Sequence, residues 1–243
     1  MHRFYAEQTD EGVFLSPEDS HHALRVLRLH TGSRIEAFLS GERWSAVLSD
    51  VNESRIRLQL CSSLPSTESR LRVTLFQGLP KADKMEMIVQ KATELGVDRI
   101  VPVRMSRCVI RLDDREAGKK VERWQKIVRE ACKQSGRSQI PEVTYPVSLN
   151  ELCQLLQSLE ASVVPWEDAD VLGPAGFAAS HTGISSLGIV IGPEGGIDPD
   201  EIRQMESSGC VPVTLGPRIL RTETAGLAAI SAIMALYGEM EVV

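Results

Sequence analysis

Between residues 187 and 201 the chain runs Leu187-Gly188-Ile189-Val190-Ile191, then Gly192-Pro193-Glu194-Gly195-Gly196, then Asp198-Pro199-Asp200-Glu201. A short apolar run that stops at glycine and proline reads as a buried strand ending in a loop, and Asp198 with Glu201 is an N-cap and N3 pair that opens a helix. Strand, glycine loop and helix start make a ligand cradle, because glycine admits a ligand close to the backbone and a helix N-terminus presents its N–H groups. A phosphate does not suit this cradle. Glu194, Asp198, Asp200 and Glu201 crowd it with negative charge, no lysine follows the loop, and no G-x-G-x-x-G occurs in the chain. An acidic rim suits a cation or a neutral heterocycle. Taken alone, the loop also fits a tight turn without a ligand.

The same geometry recurs at Val211-Pro212-Val213-Thr214-Leu215, which breaks at Gly216-Pro217 and leads through Arg218-Ile219-Leu220-Arg221 into a final helix. Two such loops at the ends of nearby strands converge on one crevice. The final helix, from Thr222 to about residue 238, is apolar on nearly every face and belongs in a core or between subunits.

Upstream, the texture divides the chain. Residues 1–68 alternate short strand-like runs with turn residues (Val13–Leu15, Arg34–Phe38, Arg43–Leu48, Arg55–Leu60), the pattern of a small β-barrel, with a helix started by Ser16-Pro17 and a polar linker over 62–69. From residue 69 to 243, strands alternate with helices, which argues for an α/β layer with a parallel sheet. Expected strands are 71–77, 97–103, 161–165, 187–191 and 211–215; expected helices are 84–95, 121–135, 199–208 and 222–238. Charge divides the chain too: residues 1–70 hold eight basic and ten acidic side chains, 71–140 hold sixteen and nine, and 141–243 hold three and fourteen. A central basic block fits a polyanionic partner or a charged helical surface. Five scattered cysteines without a CxxC pair suggest neither a disulfide framework nor a metal site, and the absence of a long apolar run or a signal peptide suggests a cytoplasmic protein.

G-P-E-G-G followed some twenty residues later by L-G-x-R-I-L-R-x-E-T-A resembles the SPOUT RNA methyltransferases, and within them the 16S rRNA (uracil-N3) methyltransferase family. Phe4-Tyr5, His22-Ala23-Leu24-Arg25-Val26-Leu27-Arg28, Lys81-Ala82-Asp83-Lys84-Met85-Glu86 and Gln90–Val97 extend the similarity over nearly the whole chain. The resemblance implies an N-terminal PUA-like β-barrel domain that binds RNA and a C-terminal trefoil-knotted α/β domain, a topology that general folding rules disfavour. It also implies a homodimer through the knot and the last helix, no metal, and S-adenosyl-L-methionine as cofactor. By similarity Ile191, Gly192, Pro193, Glu194, Gly195, Leu215, Gly216, Ile219, Leu220 and Thr222 cradle that cofactor, with Trp166 and Glu167 on a third loop. Trp166 is equally compatible with a place in the core.

Uracil N3 keeps its proton at neutral pH, so methylation there requires proton removal or stabilisation of the developing anion. Arg218 and Arg221 fit charge stabilisation, and Glu223 fits a proton acceptor, an orienting group or a helix-dipole partner. The RNA, 16S rRNA within an assembled or assembling small ribosomal subunit, is expected on Arg3, Arg25, Arg28, Lys81, Lys84, Lys91, Arg107, Lys133 and Arg137. Methylation of another rRNA or tRNA position, and a non-catalytic RNA-binding ribosome-assembly role, are the alternatives.

Overall fold

The computed structural model describes residues 1–52, 55–170 and 172–241; position 171 and the last two residues of the expected 69–243 domain lie outside them. Its contacts divide the chain into two compact units, Met1–Glu68 with Cys132–Ile140, and Ser69–Ala131 with Pro141–Val243.

In the first unit β1 (Arg3–Thr9), β2 (Gly12–Leu15), β3 (Arg34–Leu39), β4 (Glu42–Val51) and β5 (Ile56–Leu64) close into a barrel in the order β1-β2-β5-β4-β3. Pairing is antiparallel except between β1 and β3, which run parallel. Period-two alternation turns Phe4, Ala6, Ile35, Ala37, Ala46, Leu48, Ile56 and Leu58 inward. β1 was absent from the expected strands because Phe4 and Ala6 are its only fully buried apolar residues. Helix α1 (Pro17–His21) starts as read, with Ser16 Oγ accepting from the Asp19 N–H, and passes into a π-helical turn over His22–Val26. Leu24 and Leu27 pack on the barrel core while Arg25 and Arg28 are exposed.

The expected linker over 62–69 is more ordered than its polar composition suggests. β5 continues to Leu64, and the Glu68 carboxylate takes the Arg137 guanidinium at 3.0 and 2.8 Å and the N–H groups of Ser138 and Gln139. Lys133 Nζ lies 2.6 Å from Asp19, whose other oxygen accepts from the Tyr5 N–H. Both carboxylates are thus fully used where water is excluded.

The second unit is a parallel sheet of β6 (Arg72–Gly78), β7 (Arg99–Arg104), β8 (Glu142–Val143), β9 (Val147–Ser148), β10 (Ala161–Pro165), β11 (Ser186–Ile191) and β12 (Cys210–Val213). The order is β12-β10-β11-β6-β7-β8, with β9 also on β7. Strands such as Leu187–Ile191 are buried on both faces, which explains their unbroken apolar runs. Helices α2 (Lys84–Glu94), α3 (Asp114–Ser135), α4 (Leu149–Leu156), α5 (Pro174–Ser180), α6 (Pro199–Ser207) and α7 (Thr222–Leu236) connect or flank them. Helix α3 begins seven residues before the expected 121, because a charged first turn without apolar periodicity hid its start. Helices α4 and α5 were not expected. The first carries a Ser148/Glu151 capping box that the sequence displayed.

Candidate functional site

β10 lies between β11 and β12, so the loops leaving the C-terminal ends of these three parallel strands are neighbours. They enclose a cleft of about 450 Å³, within the range of small-molecule sites. Trp166, Glu167 and Asp170 line it from the β10 loop, Ile191, Gly192, Pro193, Gly196 and Ile197 from the β11 loop, and Thr214 to Leu220 with Thr222 and Ala225 from the segment entering α7. Among the lining residues the acidic groups are Glu167 and Asp170 and the only cation is Arg218. Such a wall accepts a positively charged or neutral ligand.

Steric detail explains the glycines. A Cβ on Gly192 would stand 2.5 Å from Ile197 Cγ1, and one on Gly78, at the end of β6, would stand 2.8 Å from the backbone nitrogen of Pro193. Gly196 and Gly216 have φ of +74° and +95°. Helix α6 carries the Asp198/Glu201 capping box read from the sequence, and Glu201, almost fully buried, also accepts from the Ser106 N–H at 2.7 Å. Arg107 donates to the Gly195 carbonyl and pairs with Asp198, both at 3.3 Å. The glycine loop is therefore buttressed from the 105–108 segment.

The start of α7 is tied to the same loop from inside. Thr222 Oγ donates to the Gly192 carbonyl at 2.6 Å and accepts from Gln77 Nε2 at 2.9 Å. Gln77 is wholly buried, and its amide also donates to the Gly78 carbonyl. Beside this network, Lys84 Nζ lies 3.0 Å from Glu194 and 3.0 Å from Glu223. The Glu223 carboxyl is held below the ordinary carboxylate range by its own backbone N–H, with Lys84 adding to the effect against some desolvation. For Glu194, burial pushes upward, but hydrogen bonds from its own backbone and from Lys84 and Lys81 leave it lowered overall. Ion pairs with Glu223 and Glu194 raise the Lys84 ammonium. All three groups are ionised at neutral pH.

Of the residues read from the sequence as a cofactor cradle, Trp166, Glu167, Ile191, Gly192, Pro193, Leu215, Gly216, Ile219, Leu220 and Thr222 meet at the cleft. Glu194 and Gly195 sit just outside it, one on Lys84 and the other against Arg107. Trp166 lines the cleft and packs on the core beneath. Arg218 and Arg221 are exposed and make no salt bridge among the described residues, while Ile219, 84% exposed, stands between them.

The basic residues read as RNA contacts fall into two groups. Arg25, Arg28 and Lys81 are exposed, and their charged groups have no carboxylate partner among the described residues. The others are engaged: Arg3 with Glu36, Lys84 as above, Lys91 with Glu94, Arg107 with Asp198, Lys133 with Asp19, and Arg137 with Glu68. Arg137 is only 5% exposed. Sequence reasoning missed Gln77, Asp170, Thr214 and Ala225. Gln77, a polar residue ending an apolar strand run, was the one signal on offer.

A family model described as RNA methyltransferase domain matches residues 67–234, and one described as RNA methyltransferase PUA domain matches residues 15–61. The Bacillus subtilis protein named ribosomal RNA small subunit methyltransferase E is 37% identical over 245 residues, covering 96% of each chain. Its namesake from Buchnera aphidicola is 30% identical, covering 98% of this chain and 95% of that protein. Among solved structures, ribosomal RNA small subunit methyltransferase E from Neisseria gonorrhoeae bound to S-adenosyl methionine matches with a TM-score of 0.81 at 33% identity, over 98% of both chains. A Legionella pneumophila methyltransferase in complex with its cofactor SAM matches with a TM-score of 0.77 at 33% identity, over 97% of both.

Proposed function

We propose, from the premise that this chain belongs to the ribosomal RNA small subunit methyltransferase E family, that it methylates N3 of one uridine in 16S ribosomal RNA with S-adenosylmethionine as donor. The observation that carries this reading is the convergence of three strand-end loops on one cleft with an acidic and largely uncharged wall. The residues present fit the donor. Gly192, which has no room for a Cβ beside Ile197, and Gly196, at φ +74°, shape the wall, and Glu167 and Asp170 suit a sulfonium and an ammonium. When bound, the cofactor supplies an electrophilic methyl group.

The chain's own residues do the rest. As the N3 proton passes to water, negative charge spreads to the uracil carbonyl oxygens, and Arg218 and Arg221, exposed and without a salt bridge among the described residues, are the groups to stabilise it. Glu223 is an orienting carboxylate in this reading. A carboxyl held low and paired to Lys84 is a weak proton acceptor. Arg25, Arg28 and Lys81 contact RNA phosphates, and the barrel unit is the RNA platform. The C-terminal segment forms the trefoil knot, and two copies pair through α7, on which Leu227, Ala228 and Ala232 are only half-buried and Leu236 is exposed. The substrate is a ribosomal particle in the cytoplasm; among the described residues no helix is long and apolar enough to cross a membrane.

Incubating the protein with labelled donor and small-subunit particles or naked 16S rRNA, then digesting to nucleosides, tests the proposal. Label in 3-methyluridine is the expected result. Label in any other nucleoside replaces the target, and no label favours a non-catalytic role.

A further inference from the structure

Helix α2 starts at a lysine, Lys84, that does not line the cleft. We propose that Lys84 is a positioning residue that clamps the glycine loop to the start of α7 through Glu194 and Glu223, holding the two loops at the spacing the methyl donor requires. This rests on the cofactor reading above.

Three observations carry it. First, one ammonium reaches carboxylates separated by 29 positions in the chain, at 3.0 Å each, and these flank the cleft residues Pro193 and Thr222. The side chains are 27%, 23% and 17% exposed, so solvent screens the pairs only in part. Second, the turn before α2 is shaped for this contact. Ala82 adopts φ +53°, a left-handed conformation unusual for alanine, and Glu194 receives the Lys81 N–H at 3.1 and 3.2 Å as well as the Lys84 ammonium. Third, the close approach of Gly78 to Pro193 brings the same 78–84 segment against the loop along its length.

The charge arithmetic points the same way. Two carboxylates share one ammonium here, and Arg221 adds its charge beside Glu223. Removing the ammonium leaves Glu194 and Glu223, whose paired oxygens lie within about 6 Å of one another, as like charges on the two loops that must stay together.

The test compares Lys84→Met, Lys84→Arg and Glu223→Gln with the parent protein, using calorimetric titration with S-adenosylhomocysteine and binding of 16S rRNA at several salt concentrations. Lys84→Met should weaken S-adenosylhomocysteine about tenfold and leave RNA affinity and its salt slope unchanged. Lys84→Arg should recover binding to within about threefold, and Lys84→Met combined with Glu223→Gln should be no worse than Lys84→Met alone. Unchanged S-adenosylhomocysteine binding by Lys84→Met, with weaker RNA binding and a salt slope reduced by about one, would make Lys84 a phosphate contact and overturn the proposal. If Lys84→Met does not fold, Glu223→Gln decides, since unchanged binding by that folded variant also overturns it. Failure of the parent protein to bind S-adenosylhomocysteine sinks the cofactor reading instead.

Discussion

The hydroxyl of Thr222 donates to the carbonyl of Gly192 at 2.6 Å, so the first residue of α7 holds the first residue of the glycine loop. Replacing Thr222 with Val keeps the shape but leaves the Gly192 carbonyl without this donor and the Gln77 amide without its Thr222 acceptor, at a cost of about 1–3 kcal/mol. Denaturant unfolding should show that loss, with weaker S-adenosylhomocysteine binding beside it. Thr222→Ser should behave nearly as the parent.

Gly192→Ala puts a methyl 2.5 Å from Ile197 Cγ1, so the loop must move. The expected cost is about 1–3 kcal/mol of stability, as for other overpacked sites. Cofactor titration should show a larger effect than unfolding, because the displaced segment is the cleft wall itself.

The Lys84 cluster predicts a pH window. Carboxyls lowered in the folded state, Glu194 and Glu223, contribute stability above their ordinary value of 4.5 and lose it as pH falls through their lowered values. Lys84, raised above 10.5, contributes fully below that value and loses the contribution as pH rises through the raised one. The stability difference between the parent and Lys84→Met should therefore be level from about pH 6 to 9 and shrink toward acid. A difference that persists unchanged at pH 2 would contradict the pairing.

Two arginines chosen from the same basic texture should behave oppositely. Arg137→Ala breaks a buried pair and leaves the Glu68 carboxylate without its counter-charge, held only by neutral hydrogen bonds such as those from the Ser138 and Gln139 N–H groups, which costs about 3–5 kcal/mol. Arg25→Ala, at an exposed position without an ion pair among the described residues, should leave the melting temperature in place, weaken RNA binding and reduce its salt slope by about one.

Those two arginines also mark where the sequence stops being readable. Apolar runs ending in proline or glycine located β10, β11 and β12 to within a residue or two, because a largely buried strand leaves an almost unbroken signature. The capping box at Asp198 and Glu201 was equally visible, since its chemistry is local. What could not be read is which charges are partnered. Lys133, Arg137 and Lys84 meet carboxylates 114, 69 and 110 or more residues away, and nothing in local composition separates them from Arg25 or Lys81. Gln77 was missed for the same reason: its partner, Thr222, lies 145 residues on.

The claim on which the rest depends is that the cleft between the β10, β11 and β12 loops holds the methyl donor. Calorimetric titration of the protein and of Gly192→Val with S-adenosylhomocysteine tests it most directly. The account predicts one site per chain in the parent and no measurable heat of binding in the variant. No binding by the parent at millimolar ligand, or undiminished binding by folded Gly192→Val, would contradict it.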